Sequence, residues 1–234
     1  MKTIGIIGGL SAESAAEYYL TITRTHQTRH GNDYYPEVVM HSVSFGRWTD
    51  WARASDWNAV GEALVASAKR LAAAGADLGV IASNTMHLGF DALTGGSPIP
   101  FVSIVDVVGR ALREQGVAIA AVTGTRFTMA SGLDSEGLGK HGIRTIVPGD
   151  EDRAMIDGAI YGELVRGQVR AETREAFLAV LHRLSRVGAE AVIMGCTEIP
   201  LLMAGHEGRS PLPLVDTSRL HAIAAYEAAF RPDS

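Results

Sequence analysis

EALVASAKRLAAAGAD (62–77) and EAFLAVLHRLSRVGAE (175–190) are one segment written twice, 113 residues apart. Glu62, Ala63, Ala66, Arg70, Leu71, Gly75 and Ala76 coincide with Glu175, Ala176, Ala179, Arg183, Leu184, Gly188 and Ala189. Without a gap, the same offset lays SPIPFV (97–102) on SPLPLV (210–215), and IGII (4–7) on VAIA (117–120). A repeat of this length is one structural plan used twice. The expected domains are residues 1–113 and 114–234, with the C-terminal helix able to cross over.

Each half alternates short β-rich runs with helical stretches. The runs are 3–8, 37–44, 78–83, 100–104, 117–123, 143–147, 190–195 and 212–215. Between them apolar residues recur at helical spacing, as in Ala15, Tyr18, Tyr19 and Ile22, or Leu64, Ala68, Leu71 and Ala72. Ser11 can cap the first helix, and Gly31-Asn32 ends it. Strand–helix alternation predicts α/β units with parallel sheets covered on both faces. The fold expected is two similar αβα lobes related by a pseudo-twofold axis. Ligand belongs in the interlobe cleft, beyond the carboxyl ends of the strands.

Composition narrows the function. Of 234 residues 47% are hydrophobic, enough for a sizeable core. The net charge of −5, with no basic block, argues against nucleic acid and anionic membrane surfaces as partners. One cysteine makes no intrachain disulfide and no zinc framework, so no metal site is expected and a reducing, cytoplasmic location is. The opening MKTIGIIGGLSAES does not read as a signal peptide, and no apolar run is long enough to span a bilayer. GIIGGLSAES lacks the G-x-G-x-x-G pattern, so no dinucleotide is expected. The backbone of Gly8, Gly9, Leu10 and Ser11, at a helix start, can instead hold a small carboxylate.

The offset that reveals the repeat also pairs Cys196 with Ser83. Each follows an apolar strand and precedes a polar turn, SNT in one case and CTE in the other. Two such groups facing one cleft suit proton transfer at a stereocentre without a cofactor. One removes the α-hydrogen, and the other reprotonates the opposite face. A thiolate suits the base role if helix N-terminal N–H groups and a hydroxyl such as that of Thr197 lower its pKa. Serine is a far weaker acid than cysteine. The expectation is a one-sided enzyme in which Cys196 is the competent base.

At these residues the chain resembles the aspartate/glutamate racemase family, whose members work without pyridoxal phosphate. The resemblance rests on IGIIGGLSAESAAEYY, HSVSF, SNTMH, TGTRFTM and GCTEIPLL followed by LPLVDT, and it covers nearly the whole length. It implies two αβα lobes, an interlobe active site, no cofactor and a homodimer. Cys196 takes the place of the second catalytic cysteine, and Ser83 stands where the first would be. Some relatives carry a hydroxyl residue, threonine, there. Asn84 and Thr85 match the pair that binds the substrate α-carboxylate, with Thr125 and Thr197 as further donors. By analogy the chain would carry L-substrate toward D, with L-Glu or L-Asp as the small-molecule substrate.

The distal carboxylate of such a substrate needs cationic or multiple polar donors. GRWTDWARASDW (46–57) offers Arg47 and Arg53, of which Arg47 is the better candidate. Trp48 and Trp51 would narrow the pocket, form a lid or anchor a dimer surface. Glu198 can orient the substrate ammonium or a neighbouring donor, and Glu163 reaches the ammonium only by the resemblance. His87 either tunes the site or packs its helix. Two other readings stay open: a one-cysteine decarboxylase or isomerase of small dicarboxylates, and a catalytically impaired amino-acid-binding relative.

Overall fold

The computed structural model describes residues 1–230, the side chains of 133 and 134 apart. In chain order the elements are β1 (Ile4–Gly8), α1 (Ala12–His30), β2 (Val38–Ser42), α2 (Phe45–Arg53), α3 (Trp57–Ala73), β3 (Leu78–Ile81) and α4 (Phe90–Gly96). There follow α5 (Ile104–Glu114), β4 (Ile119–Gly124), α6 (Arg126–Ala130), α7 (Leu133–Gly139), β5 (Arg144–Ile146), α8 (Asp150–Gly162) and α9 (Ala171–Arg186). The chain then forms β6 (Ala191–Gly195), α10 (Ile199–Met203), β7 (Leu214–Asp216) and α11 (Thr217–Phe230). Among the described residues no helix is long and apolar enough to cross a membrane.

The chain divides into two compact units, Val105–Thr217 and a first unit of Met1–Ile104 joined by the segment from Ser218 onward. The helix 104–114 thus goes with the second unit, and α11 returns to the first. Each unit is an α/β fold on an all-parallel sheet, in the order β2-β1-β3 in the first and β5-β4-β6-β7 in the second.

In the first unit, side-chain alternation along the strands sorts the core into two layers. Ile7 and Ile81 pack with Trp48, Leu64, Leu71 and Leu93 of α2, α3 and α4. Ile4, Ile6, Leu78 and Val80 pack with Tyr18 and Ile22 of α1 and Ala222, Ala225 and Tyr226 of α11. The crossover of α11 therefore gives this sheet its second cover. Ser11 caps α1 by accepting the Ser14 N–H, and left-handed Gly31 closes it, as the sequence predicts. The core of the second unit joins Ala121, Val192 and Met194 to α8, α9 and α10.

Two expectations need adjustment. The run 100–104 makes a single parallel bridge, Gly79 to Phe101, instead of a strand. Pro98 and Pro100 lack ladder N–H groups, and α5 begins at Ile104. The bridge still matches the repeat, because Val192 and Leu214 pair in the same way 113 residues on. The first strands are offset differently. Ile7 is level with Ile81, but Thr123 is level with Met194, so β1 corresponds to β4 at an offset of 116. Three residues are inserted between the two copies of that strand.

Candidate active site

Cys196 directly follows β6, where Gly124 of β4 stands level with Gly195. Both carboxyl ends are drawn close, since a Cβ on Gly195 would lie 2.8 Å from the Thr123 carbonyl oxygen. Thr125, just beyond β4, caps α6 by accepting the Thr128 N–H at 3.3 Å. Thr125, Cys196 and Thr197 are thereby gathered at one sheet edge by strand register alone.

The thiol is buried, and its Sγ donates to Glu198 Oε2 at 3.0 Å. The Thr197 hydroxyl donates to the same oxygen at 2.7 Å. The other carboxylate oxygen, Oε1, is buried with no protein hydrogen bond, on a residue only 2% exposed. An unpaired buried carboxylate oxygen is costly, so it is a natural place for a ligand's donor.

The expectation of a lowered thiol pKa is corrected here. Burial first, and then the Glu198 charge, push the Cys196 thiol well above its ordinary value, with Asp157 of α8 adding to the rise. The Glu198 backbone N–H opposes them but does not win. Thr197 cannot help the sulfur, because its hydroxyl is committed to Glu198. In this state Cys196 is a thiol beside its proton acceptor. Asp157 carried no motif in the sequence; it is fixed here by accepting the Arg126 N–H at 2.8 Å.

Ser83 lies two residues beyond β3, at the carboxyl edge of the first unit. Its Oγ accepts only a long contact from the Met86 N–H, 3.4 Å. Asn84 and Thr85 follow at the start of a short 3-10 turn, Thr85–Gly89. At the neighbouring end of β1, Gly9 takes a left-handed φ of 77°, and a Cβ there would lie 2.3 Å from the Val43 carbonyl oxygen. Only glycine fits that turn, which presents Leu10 and Ser11. The Leu10 side chain, however, belongs to the core, which leaves only its backbone for a ligand.

The remaining candidates separate. Arg47 and Arg53 are exposed on α2. Trp48 is 4% exposed and packs edge-on to Trp51 at 5.7 Å, so it is a core residue and neither lid nor surface anchor. Glu163 accepts a 2.6 Å hydrogen bond from Thr173 and lies 3.6 Å from Arg170. His26 and His30 stand four apart on α1, a spacing compatible with metal binding. His26 is already committed, with Asn32 Oδ1 at 2.8 Å and the Tyr226 hydroxyl at 3.2 Å on its two nitrogens.

Cys196 just beyond β6 and Ser83 just beyond β3 thus occupy corresponding places in two parallel α/β units. A profile of the Asp/Glu/Hydantoin racemase family matches residues 7–225. The chain belongs to that family, and in family terms it is an isomerase of the racemase type. Among solved structures it is similar to a protein from Yersinia pestis described as a candidate Asp/Glu racemase. The two are 33% identical with a TM-score of 0.90, over 99% of this chain and 100% of that one. It is also similar to an aspartate racemase homologue from Pyrococcus horikoshii, at 31% identity and a TM-score of 0.85, over 99% and 100%. The Picrophilus torridus aspartate racemase shares the fold, at 22% identity and a TM-score of 0.78, over 100% and 96%.

Proposed function

We propose that this chain racemises an acidic amino acid, aspartate or glutamate, without a cofactor, with Cys196 the competent base and the L-enantiomer the one it deprotonates. The observation that carries the reading is the Cys196–Glu198 pair at the carboxyl end of β6, matched by Ser83 at the carboxyl end of β3. A homodimer, which the family resemblance supports, is the working form in this reading.

Glu198 Oε2 takes the thiol proton, and the Cys196 thiolate then removes the α-hydrogen of the L-substrate. The Ser83 hydroxyl delivers a proton to the opposite face and is replenished from solvent, while Glu198 returns to solvent the proton it took from the thiol. Asn84, Thr85 and Thr125, with the Thr197 backbone N–H, receive the α-carboxylate, aided by the Leu10–Ser11 backbone. The substrate ammonium meets Glu198 Oε1, the buried oxygen that has no protein partner, with Glu163 as a further acidic group. Its positive charge offsets the Glu198 and Asp157 carboxylates, which otherwise hold the thiol protonated. Arg47 takes the distal carboxylate. The Ser83 hydroxyl stays un-ionised near neutral pH and removes a proton poorly, so α-hydrogen exchange is slower for the D-substrate than for the L-substrate, and inversion in either direction is limited at Ser83.

Chiral chromatography on L- and D-aspartate and glutamate, with neutral amino acids and small dicarboxylates alongside, tests the proposal. D-product from an acidic L-substrate, with Ser83→Cys quickening inversion from either enantiomer, is the expected result. Turnover confined to a malonate or maleate contradicts it, as does ligand-induced thermal stabilisation with no turnover of any substrate.

A further inference from the structure

The Ser83 peptide is held from both sides by buried side chains. The Ser14 hydroxyl of α1 donates to the Ala82 carbonyl at 2.9 Å. His87 Nδ1 donates to the Ser83 carbonyl at 2.7 Å, and its Nε2 accepts the Ile104 N–H at 3.3 Å. The Ser83 N–H closes a tight turn onto the Ile81 carbonyl at 2.8 Å. Little rotational freedom is left to this backbone.

These bonds dictate the state of the imidazole. A carbonyl only accepts and an N–H only donates, so the hydrogen is on Nδ1 and Nε2 is bare. Such a ring has no proton to relay to the serine. Its contribution is geometric. Burial pushes its pKa down to about 4, which keeps this state at neutral pH.

A second histidine, on α11, supports the first. His221 Nε2 donates to the Val102 carbonyl at 2.9 Å, and its Nδ1 accepts the Tyr18 hydroxyl at 2.8 Å. Its ring stands 5.5 Å from that of His87 at 66°, and Phe90 stacks on His87 at 5.3 Å. Both rings therefore grip the 102–104 stretch, and through His87 that grip reaches Ser83. His87 and His221 are 2% and 0% exposed. A satisfied buried network of this kind specifies one arrangement.

We propose that His87, backed by His221 and Tyr18, is a positioning residue that fixes the Ser83 backbone and so aims the Ser83 hydroxyl at its substrate face. The inference rests on the reading above that Ser83 protonates the face opposite Cys196.

Parent, His87→Asn and His87→Leu proteins are compared in D₂O with L-aspartate and L-glutamate. Deuterium at the α-carbon of recovered L-substrate is read separately from D-enantiomer formed. His87→Leu is expected to lower inversion roughly tenfold or more, with α-exchange of the L-substrate within about threefold of the parent's. His87→Asn, whose amide can still donate to the Ser83 carbonyl, recovers most of the inversion. Unchanged inversion, or parallel loss of exchange and inversion, overturns the proposal. A parent that neither exchanges nor inverts counts against the racemase reading, and ring-nitrogen NMR of the parent then decides the positioning claim. A protonated Nδ1 and bare Nε2 throughout about pH 5.5–8 supports the clamp, and a His87 ring that titrates near its ordinary 6.5 overturns it.

Discussion

The Cys196 thiol donates to Glu198 Oε2 across 3.0 Å, so the cysteine rests beside its proton acceptor and is not a preformed thiolate. The Glu198 charge is among the causes that hold the thiol pKa up. Glu198→Gln removes that charge and the proton acceptor together. The thiol should then ionise at lower pH, and its alkylation by iodoacetamide near pH 8 should quicken. Racemisation should fall by about a hundredfold, within the usual range for loss of an acid–base partner. Slower alkylation in the variant would contradict this electrostatic account.

The two buried histidines set an acid limit on stability. Folded His87 and His221 take up protons only near about 4 and about 3, against an ordinary 6.5. Between 6.5 and those values the unfolded chain binds more protons than the folded one, so stability falls as pH falls. It is fully present above about pH 7 and declines through the window down to about pH 3–4. Each unit of depression is worth about 1.4 kcal/mol. Urea denaturation at pH 7.5, 6, 5 and 4 should show this slope, and His221→Asn should flatten it. A pH-independent midpoint would contradict the neutral-ring assignment.

Tyr18→Phe removes the hydroxyl that donates to His221 Nδ1 and leaves that nitrogen buried without its partner. The cost should be about 1–3 kcal/mol. Thermal unfolding should move down by several degrees, and a shift of less than one degree would show that the bond carries no weight.

Gly9→Ala forces a side chain into a left-handed turn against the Val43 carbonyl. A destabilisation of about 3 kcal/mol or more is expected, because strain and a backbone clash act together. Soluble yield and urea midpoint measure it. A variant as stable as the parent would mean the β1–α1 turn can relax.

The repeat makes the architecture legible in the sequence, because Gly75-Ala76 and Gly188-Ala189 close the helices that precede β3 and β6, the strands paired with β1 and β4. What it could not give was the offset at β1, since IGII and VAIA are both apolar runs and slide against one another without penalty. Cys196 and Ser83 were legible because strand ends are marked by the switch from apolar to polar residues. The direction of the thiol pKa was not, because it depends first on burial, then on Glu198 folding back onto sulfur, and on Asp157, 39 residues away in sequence. The His87–His221–Tyr18 network was equally hidden, since it joins residues up to 203 positions apart. Trp48 could be read as narrowing the pocket, forming a lid or anchoring a dimer surface because its loop-like context hides a nine-residue helix with a buried face.

Deuterium incorporation at the α-carbon of L-aspartate and L-glutamate in D₂O, followed by ¹H NMR with parent and Cys196→Ala proteins, tests the central claim most directly. The account predicts loss of the α-proton signal with the parent, at a rate that falls by about a thousandfold or more in Cys196→Ala. Exchange that survives the loss of Cys196, or no exchange of either amino acid with the parent, would contradict it.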